Sequence, residues 1–434
     1  MNIIIVGIGK VGFHLAKTLS IAHNVIIVDK NRNALNSVQE NLDIMPIYGD
    51  VEDFKTFELI PFSDIDLFIA VTNIDNVNLI SAITVDLVLN VKRKLIKQQK
   101  KYFKHNLIKE RLKIDNFIFP IQLASDTVLS LLNSPNINNI KTLHYIDKKL
   151  ISIIIPSNYN PKIFDFTDFQ IVAIERDNKL FIIKDNSVKI FPNDLIYYFG
   201  TEKDIDIIKY SKKTEIKNCV VFGANILGIT ISYDLLQRGY NVKIIEKEIA
   251  LCQEADDFFM GEIEVINFKY GSHEIFEDEG LDNADIFIST TTNDEFNIIK
   301  SLEARTNGIK KIIAINNEMQ YYNLMHSLKI TAVRGPKMSA YHKIMEEISS
   351  NQVVIRKHFC GGKAIVLIRK IFINSPPLGK KIKPLKIENS SLFYMRDGVL
   401  HFFIDTIFLK ENDLIISFAT ILESDLIQKW IYEL

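Results

Sequence analysis

The chain has 434 residues, which exceeds the size at which one hydrophobic core keeps growing, so we expect two to four domains. Hydrophobic residues make up 47% and charged residues 24% of the chain, a balance that excludes a largely disordered protein. The formal net charge of −1 excludes a global field that would attract nucleic acid or an anionic membrane.

Cysteine spacing and apolar runs indicate the compartment. The cysteines Cys219, Cys252 and Cys360 show no C-x-x-C spacing, which argues against a zinc site or a disulfide framework and fits a reducing cytoplasm. The opening NIIIVGIG shows no basic leader or cleavage site, and no uncharged apolar run approaches the roughly 20 residues that span a bilayer. We therefore expect a cytoplasmic protein that is at most peripheral to the inner face of the membrane.

The first predicted elements are a strand, a glycine loop and a helix. NIIIVG is a short buried strand, and KVGFHLAKTLS is an amphipathic helix with Val11, Leu15 and Leu19 on one face. Between them GIGKVG matches G-x-G-x-x-G in the context where that motif has weight. We expect this loop to bind a dinucleotide or ADP/ATP rather than to be a bare structural turn.

Each glycine of the loop has its own physical role. Gly7 permits the tight turn, Gly9 lets a pyrophosphate approach the backbone, and Gly12 lets the helix pack close to the strand. Asp29 ends the second strand, where its carboxylate can accept hydrogen bonds from both ribose hydroxyls and would repel a 2′-phosphate. The pattern favours NAD or an adenine nucleotide over NADP.

The following strands, NVIIVD, DIMPIYG, DLFIAVT and KLIK, alternate with helices and predict a doubly wound α/β sheet. Asp50 follows the third strand, where it either meets an adenine ring or is an exposed turn acid. Thr72 and Asn73 end the fourth strand at the switch-point crevice, where they meet the ribose, cap a helix, or do both.

The chain then changes character and repeats. From about 137 to 213 we predict short alternating strands, and the large and small units recur from about 214 and 353. The predicted domains are 1–136, 137–213, 214–350 and 351–434. The landmark pairs are Gly7 with Gly223, Asp29 with Glu246, Gly49 with Gly271, Asp75 with Asp294, and Pro120 with Pro336.

The second glycine loop, GANILG, is less complete. Asn225 stands where the closest pyrophosphate approach requires no side chain, and Ser272 replaces the acid that follows Gly49 in the first copy. We expect the second site to bind more weakly, to prefer a mononucleotide, or to be empty. Its candidate contacts are Gly223, Ala224, Asn225, Ile226, Leu227, Gly228, Glu246 and Thr291.

These motifs together resemble the tandem RCK proteins of bacteria, the TrkA-type regulatory subunits of potassium uptake systems. The resemblance covers essentially the whole chain, including small modules of the RCK C-terminal type. The segments that carry it are NIIIVGIGKVGFHLAKTL, AVTNIDNVNL, CVVFGANILGITISYDLLQRGYNVKIIEKE, DIFISTTTNDEFNII, NGIKKIIAINNEMQYYNLM, SPPLGKKIKPLKI, MRDGVLHFF and LKENDLIISF.

The resemblance implies a fold, ligands and partners. It implies two Rossmann-like doubly wound domains, each followed by a small β-rich α+β domain. The large Rossmann-like domains would bind NAD(H) and ATP/ADP. It also implies a homo-oligomer, dimer or tetrameric ring, that gates a membrane potassium-translocating subunit of the TrkH or KtrB type. QLASDTVLSLLN and KMSAYHKIMEEISS would pair RCK domains, or they are ordinary surface helices.

The resemblance also implies site residues. The phosphate-loop positions of the family correspond to Gly7, Ile8, Gly9, Lys10 and Val11, and its ribose and fourth-strand positions to Asp29, Thr72 and Asn73. Lys97 stands where the family usually has an arginine, and it keeps the charge but not the bidentate fork. Asn316 lies near the equivalent place in the second half, which therefore lacks a cation.

The alternative is an NAD-dependent oxidoreductase, because the same loop serves dehydrogenases. No proton donor or metal-binding histidine pair stands out, the Y-x-x-x-K spacing of Tyr145 and Lys149 lies in a β-rich segment, and no substrate-sized domain follows. We interpret the basic run KRKLIKQQKKYFKH as a solvated rim rather than a nucleic-acid surface. The sequence shows no helix-turn-helix, which argues against a redox-sensing transcription factor. We expect a binding protein without catalytic residues.

Overall fold

The computed structural model describes residues 1–99, 106–132, 137–143, 146–157, 170–184, 189–201, 218–268, 275–349 and 354–434. Tyr145, Gly271 and Ser272, which entered the sequence predictions, lie outside these ranges. None of the described helices combines the length and the apolar character that a membrane crossing requires.

The first Rossmann sheet has six parallel strands. They are β1 (Asn2–Val6), β2 (Asn24–Asp29), β3 (Met45–Tyr48), β5 (Leu67–Ala70), β7 (Lys94–Lys97) and β8 (Asn116–Ile118), with a separate ladder of β4 (Asp64–Ile65) and β6 (Asn90–Val91). The spatial order is β3-β2-β1-β5-β7-β8, so the chain reverses direction across the sheet between β1 and β5. Ligands of such sheets bind at the carboxyl ends of the strands beside this reversal.

The second Rossmann sheet repeats the first. Its strands are β14 (Asn218–Phe222), β15 (Asn241–Glu246), β16 (Glu264–Asn267), β17 (Ile286–Ser289), β18 (Lys311–Asn316) and β19 (Thr331–Arg334). They are parallel in the order β16-β15-β14-β17-β18-β19, so the predicted duplication of a doubly wound sheet is confirmed. The central strands are buried on both faces, which explains their unbroken Ile and Val runs.

Helices cover both faces of the two Rossmann sheets. In the first half they are α1 (Lys10–Leu19), α2 (Arg32–Gln39), α3 (Lys55–Glu58), α4 (Asp75–Thr84), α5 (Asn106–Arg111) and α6 (Pro120–Ser130). In the second half they are α7 (Ile226–Leu236), α8 (Ile249–Phe259), α9 (Ile275–Asp278), α10 (Asp294–Thr306), α11 (Tyr322–Ser327) and α12 (Pro336–Ser349), and α13 (Ser424–Glu433) ends the chain.

Two small antiparallel sheets follow the Rossmann sheets. The first comprises β9 (Ile137–Thr142), β10 (Lys149–Ile154), β11 (Gln170–Arg176), β12 (Lys179–Ile182) and β13 (Leu195–Gly200), in the order β12-β11-β13-β10-β9. The second comprises β20 (Val354–Phe359), β21 (Ala364–Lys370), β23 (Ser390–Arg396), β24 (Val399–Phe402) and β26 (Leu414–Thr420), with a side ladder of β22 (Lys381–Ile382) and β25 (Ile407–Phe408). Its order is β20-β21-β26-β23-β24, which matches the first small sheet when that sheet is read from its other edge as β9-β10-β13-β11-β12. The predicted fold class is confirmed.

The two small sheets share one hydrophobic core. Tyr197 and Phe199 of β13 pack against Phe359 and Phe418, with ring centroids 5.2 Å apart for Tyr197–Phe359 and 5.8 Å for Phe199–Phe418. Apolar faces of sheets must be buried, and here each small sheet buries one of its faces against the other. The small units therefore join the two halves of the chain.

The same ion pair braces each small sheet. In the second, Arg396 Nε donates to Asp413 Oδ1 at 2.9 Å and Arg396 Nη2 to Asp413 Oδ2 at 2.7 Å, and in the first Arg176 contacts Asp194 in the same way. The Asp413 carboxylate is buried and also accepts from the backbone N–H of Lys410 at 2.8 Å. This brace ties the last strand to the hairpin of β23 and β24.

We expect Asp413→Ala to lower the free energy of unfolding by at least about 2 kcal/mol, because the variant loses three hydrogen bonds to a charged group and one such bond alone contributes about 1.5–3 kcal/mol. Urea unfolding followed by circular dichroism measures the change. Exchange of Asp397, an exposed turn residue of the same hairpin, for asparagine is the control. Equal midpoints for the wild type and Asp413→Ala would contradict the brace.

The helix α6 crosses from the first half to the second. Ala124 and Val128 of α6 are buried in one core with Ile231 and Leu235 of α7. Ser125 Oγ, also buried, donates to the Asp234 carboxylate at 2.9 Å. The first half therefore supplies a helix to the core of the second Rossmann sheet.

The helix α12 makes the reciprocal crossing. Ala340 and Ile344 are buried with Val11 and Leu15 of α1, and the hydroxyls of Tyr341 and Thr18 are 2.9 Å apart. The two crossover helices thus interlock the halves within one chain, and the alternative that they are ordinary surface helices is wrong.

Candidate nucleotide-binding site

The first glycine loop lies between β1 and α1 at the carboxyl edge of its sheet. Gly7 has φ +97°, a conformation that other residues rarely adopt. A Cβ on Gly12 would lie 1.9 Å from the Gly7 carbonyl oxygen, whereas a Cβ on Gly9 would meet no other described part of the chain within 4 Å. The space above Gly9 is the cradle that a pyrophosphate requires.

The amino end of α1 is ready to bind an anion. Gly9 is its N-cap residue, and among the described residues no side chain accepts a hydrogen bond from the first turn. The backbone N–H groups at a helix start carry a partial positive charge and need acceptors. Phosphate oxygens are suitable acceptors, so the loop fits the phosphates of a nucleotide.

Asp29 holds the loop from the neighbouring strand. Its Oδ2 accepts from the backbone N–H of Ile8 at 2.7 Å and its Oδ1 from that of Asn31 at 2.7 Å. Each carboxylate oxygen can accept a further hydrogen bond, and the side chain is only partly buried. The carboxylate can therefore fix the loop and receive ribose hydroxyls at the same time. An open cleft beside it, about 680 Å³ in volume, is lined by residues 29–33 and Tyr48.

Asp50 does not line that cleft. Its carboxylate pairs with Lys30 Nζ at 2.9 Å and accepts from the backbone N–H of Glu52 at 3.0 Å. The Lys30 hydrogen bond lowers the pKa of Asp50. Asp50 is therefore a partly exposed acid in the turn after β3, and its contact with an adenine ring stays a prediction.

A buried asparagine, which the sequence analysis missed, braces the end of β5. Asn78 Oδ1 accepts from the backbone N–H of Thr72 at 2.9 Å and from its hydroxyl at 2.7 Å, while Asn78 Nδ2 donates to the Lys97 carbonyl at 2.9 Å. Thr72 also lies against Gly7, since a Cβ there would be 3.0 Å from the Thr72 backbone nitrogen. Asn78 thus joins the ends of β5 and β7, the fourth and fifth strands of the sheet, by hydrogen bonds, and the glycine loop packs against Thr72.

Lys97 supplies a cation at the same edge. Its Nζ is 3.4 Å from Asn73 Oδ1, and both residues line a cavity of about 290 Å³ with Lys10 and Val11. Burial lowers the pKa of Lys97 to about 8, against the attraction of Asp75. The ammonium group is therefore charged at neutral pH and titrates within an accessible range.

The second half closes over this cavity. Asn225, Leu227 and Thr290 of the second half form its opposite wall. Lys10 Nζ is 2.8 Å from Glu318 Oε1, and residues 317, 318 and 320 also line a neighbouring cavity of about 510 Å³ behind the first loop. A ligand on the first loop would therefore contact both halves.

The second loop has the same backbone and different chemistry. A Cβ on Gly228 would lie 1.9 Å from the Gly223 carbonyl oxygen, as in the first copy. However, Asn225 Oδ1 accepts from the backbone N–H of Gly228 at 3.0 Å, and Asn225 Nδ2 donates to the Thr290 carbonyl at 2.6 Å. The side chain fills the acceptor position that a phosphate would take, so a nucleotide does not fit here without displacing it.

The acid of the second loop is more fully engaged than Asp29. Glu246 is buried and accepts from the backbone N–H groups of Ala224, Lys247 and Glu248 at 2.7–3.0 Å. The strand-end brace is repeated, with Asn297 Oδ1 accepting from the Thr291 N–H at 3.1 Å and hydroxyl at 2.7 Å. Ile226 and Leu227 form the first turn of α7.

The brace defines one pairing between the halves. Asn297 Nδ2 donates to the Ile315 carbonyl at 2.9 Å, as Asn78 does to that of Lys97. The structural counterpart of Lys97 is therefore Ile315, and Asn316, which was expected near this place, is the next residue along the chain. An isoleucine leaves the second site without a cation at this position.

Comparisons with known proteins agree with this architecture. The TrkA-N domain model matches the chain twice, over residues 3–120 and 219–336. The Trk system potassium uptake protein TrkA of Halomonas elongata is 23% identical over 376 residues, covering 82% of this chain and 80% of the relative. The TrkA homolog 2 of Methanosarcina mazei is 23% identical over 440 residues, covering 96% and 97%.

Solved structures share the fold. The GsuK RCK domain matches with a TM-score of 0.60 and 14% identity, covering 100% of this chain and 95% of that one. The GsuK channel bound to NAD has the same TM-score and identity, covering 100% and 79%. At this identity the likeness concerns the fold alone. The two matched segments contain both glycine loops, both strand-end braces and both crossover prolines, and the chain accordingly belongs to the TrkA-N domain family, with two copies of its domain.

Proposed function

We propose that this chain is a cytoplasmic, nucleotide-sensing regulatory subunit of a Trk- or Ktr-type potassium uptake system. NAD(H), ATP/ADP or both bind the first glycine loop and gate a membrane potassium-translocating subunit. The observation that carries the proposal is the open cradle at Gly9, with the Asp29 carboxylate on the next strand and the second half opposite. The names of the relatives support potassium uptake as the process.

The cavity between the halves offers a route from binding to gating. A ligand shifts an equilibrium only by the difference between its affinities for the two states. Contacts of the phosphates with Lys10 and Lys97 would compete with the Lys10–Glu318 pair that joins the halves. A coupling of about 1–3 kcal/mol changes the equilibrium between two gating states several-fold to hundredfold.

The second loop is proposed to remain empty and to have a structural role. Asn225 accepts a hydrogen bond from the first turn of α7, and Glu246 accepts from one backbone N–H of the glycine loop and from two that follow β15. The duplication then yields one nucleotide per chain. The domain boundaries proposed from the sequence, 1–136, 137–213, 214–350 and 351–434, remain part of this proposal.

Assembly into a homo-oligomer, dimer or tetrameric ring, is also proposed. Ile80, Ile83 and Leu87, on α4 and the turn after it, are exposed large hydrophobic residues at nearby positions. Such residues are costly to leave in water when they form a contiguous patch. Light scattering of the purified chain tests this assembly, and a monomer at all concentrations would exclude it.

A pH dependence follows from Lys97. We expect the affinity for ADP to fall about tenfold between pH 7 and pH 9, because Lys97 is protonated below its pKa of about 8 and loses its charge above it. The bound phosphate favours the charged form, so raising the pH weakens binding. Isothermal titration calorimetry at several pH values measures the effect.

Lys97→Met provides the control for this pH dependence. The variant has no titrating ammonium at this position, so its affinity at pH 7 is expected to match the weaker affinity of the wild type at high pH and to stay level. The same tenfold fall in Lys97→Met would assign the pH dependence to another group.

Potassium flux tests the function directly. Proteoliposomes that contain a TrkH- or KtrB-type subunit are prepared, and their rubidium uptake is measured in the presence and in the absence of the chain. We expect the chain to change uptake, NADH and NAD or ATP and ADP to differ in effect, and Asp29→Ala to remove the nucleotide response. Uptake that ignores both the chain and the nucleotides would exclude the proposed function. Consumption of NADH with small substrates would favour the oxidoreductase alternative.

A further inference from the structure

Three side chains from three different units converge away from the glycine loops. Glu175 lies on β11 of the first small sheet, His326 on α11 of the second Rossmann unit, and Cys360 directly after β20 of the second small sheet. His326 Nε2 is 2.7 Å from Glu175 Oε2, and Cys360 Sγ is 3.1 Å from the same oxygen. The three atoms lie within 4.8 Å of one another.

The surroundings hold these groups in place. Cys360 is fully buried, while Glu175 and His326 are 7% and 13% exposed at their side chains. Cys360 has φ +50°, which is unusual for a residue with a side chain, and a Cβ on the following Gly361 would lie 2.9 Å from the His326 ring. The turn after β20 is therefore folded tightly against the imidazole.

The carboxylate divides its two oxygens between different neighbours. Lys363 Nζ contacts Glu175 Oε1 at 2.6 Å and donates to the Asn178 carbonyl at 3.0 Å. This leaves Oε2 facing the imidazole and the thiol. Lys363 is therefore paired with Oε1, while Oε2 contacts the imidazole nitrogen and the thiol sulfur.

We propose that Glu175 Oε2, His326 Nε2 and Cys360 Sγ bind one divalent ion of the zinc class. Carboxylate, imidazole and thiolate together are a ligand set that Zn²⁺ accepts, whereas Mg²⁺ and Ca²⁺ prefer oxygen alone. Zinc binds such atoms at about 2.0–2.3 Å. A tetrahedral arrangement separates ligand atoms by about 3.3–3.8 Å, so the present contacts need to widen by about half an ångström.

The site has an entrance and a place for a fourth ligand. Glu175 and His326 line an open cavity of about 450 Å³, together with residues 176–178 and 192–195. A water molecule from this cavity completes the tetrahedron. Because each protein ligand comes from a different unit, the bound ion fastens both small sheets to the second Rossmann unit.

Cobalt provides the test, because a Co²⁺–thiolate bond produces an intense near-ultraviolet charge-transfer band. The full chain is stripped with a chelator and titrated with Co²⁺, followed by competition with Zn²⁺. We expect saturation at one ion per chain, the charge-transfer band, tetrahedral visible bands, displacement by Zn²⁺ and a higher melting temperature with Zn²⁺ than with Mg²⁺.

Ligand variants separate the site from adventitious binding. Cys360→Ser is expected to lose the charge-transfer band. His326→Gln is expected to weaken the affinity for Co²⁺ by more than the about 10–100-fold that is typical when a hydrogen-bond partner of a metal ligand is lost. Cys219→Ala removes a buried cysteine of β14 and is expected to keep the full spectrum. Absence of the band in the wild type, or its persistence in Cys360→Ser, overturns the proposal. The wild-type titration decides the matter even if a variant fails to fold.

Discussion

Replacing Gly12 with alanine will destabilise the first half of the chain by at least about 3 kcal/mol, at the upper end of the cost of overpacking. The added Cβ would lie 1.9 Å from the Gly7 carbonyl oxygen, which belongs to backbone and not to a flexible side chain. Relief requires α1 to move away from β1, and this separates Val11 and Leu15 from the core they share with α12. The melting temperature should fall by about 6–12 °C.

The duplication supplies an internal repeat of this experiment. A Cβ on Gly228 meets the Gly223 carbonyl oxygen at the same 1.9 Å, so Gly228→Ala should destabilise the second half in the same way. Differential scanning calorimetry resolves the two halves if they unfold separately. A Gly12→Ala chain that melts with the wild type would show that α1 does not depend on this close crossing.

Replacing Gly9 with alanine should instead remove nucleotide binding and leave the fold intact. Gly9 has φ −64° and open space above its Cα, so alanine fits the apo chain without strain. The methyl group then occupies the position that the pyrophosphate needs. Loss of one or two charge-assisted hydrogen bonds of about 1.5–3 kcal/mol each lowers affinity for NAD or ADP at least about tenfold to hundredfold.

Calorimetric titration with NAD and ADP measures this loss, and the melting temperature without ligand verifies the fold. Ala34→Ser is the control, because it is a substitution of similar size on α2 that lines the cavity of about 510 Å³ behind the first loop. Unchanged affinity in Gly9→Ala would mean that the phosphates do not approach the first loop.

Local chemistry made much of the site predictable from the sequence. The roles of Gly7 and Gly12 follow from a strand, a tight turn and a helix in succession, and the structure has the expected left-handed turn and close crossing. Asp29 could be identified because a parallel strand order brings the end of the second strand beside the first loop. The weaker second site could also be predicted from the sequence, because Asn225 replaces the middle glycine of the motif. In the structure its side chain caps α7 and occupies the space that is open above Gly9 in the first loop.

Contacts between distant segments could not be predicted in the same way. Asn78 and Asn297 have no sequence signal beyond their matched places after the fourth strand, because the carbonyl that each reaches on the fifth strand is 18 or 19 residues away. Helix α6 packs in the core of the second half and α12 in the core of the first. Hydrophobic periodicity predicts which face of each helix is buried, but not which half of the chain that face packs against. The Glu175, His326 and Cys360 cluster joins residues up to 185 positions apart, so no spacing rule for metal ligands finds it.

Calorimetric titration of NAD, NADH, ATP and ADP into the full wild-type chain and into Asp29→Ala tests the central claim most directly. We predict one nucleotide per wild-type chain and at least about tenfold weaker binding in Asp29→Ala, which loses both the loop brace and the ribose acceptor. Glu40→Ala, which removes an exposed acid at the end of α2, should bind like the wild type. A wild-type chain that binds none of the four, or an Asp29→Ala chain with full affinity, would contradict the account.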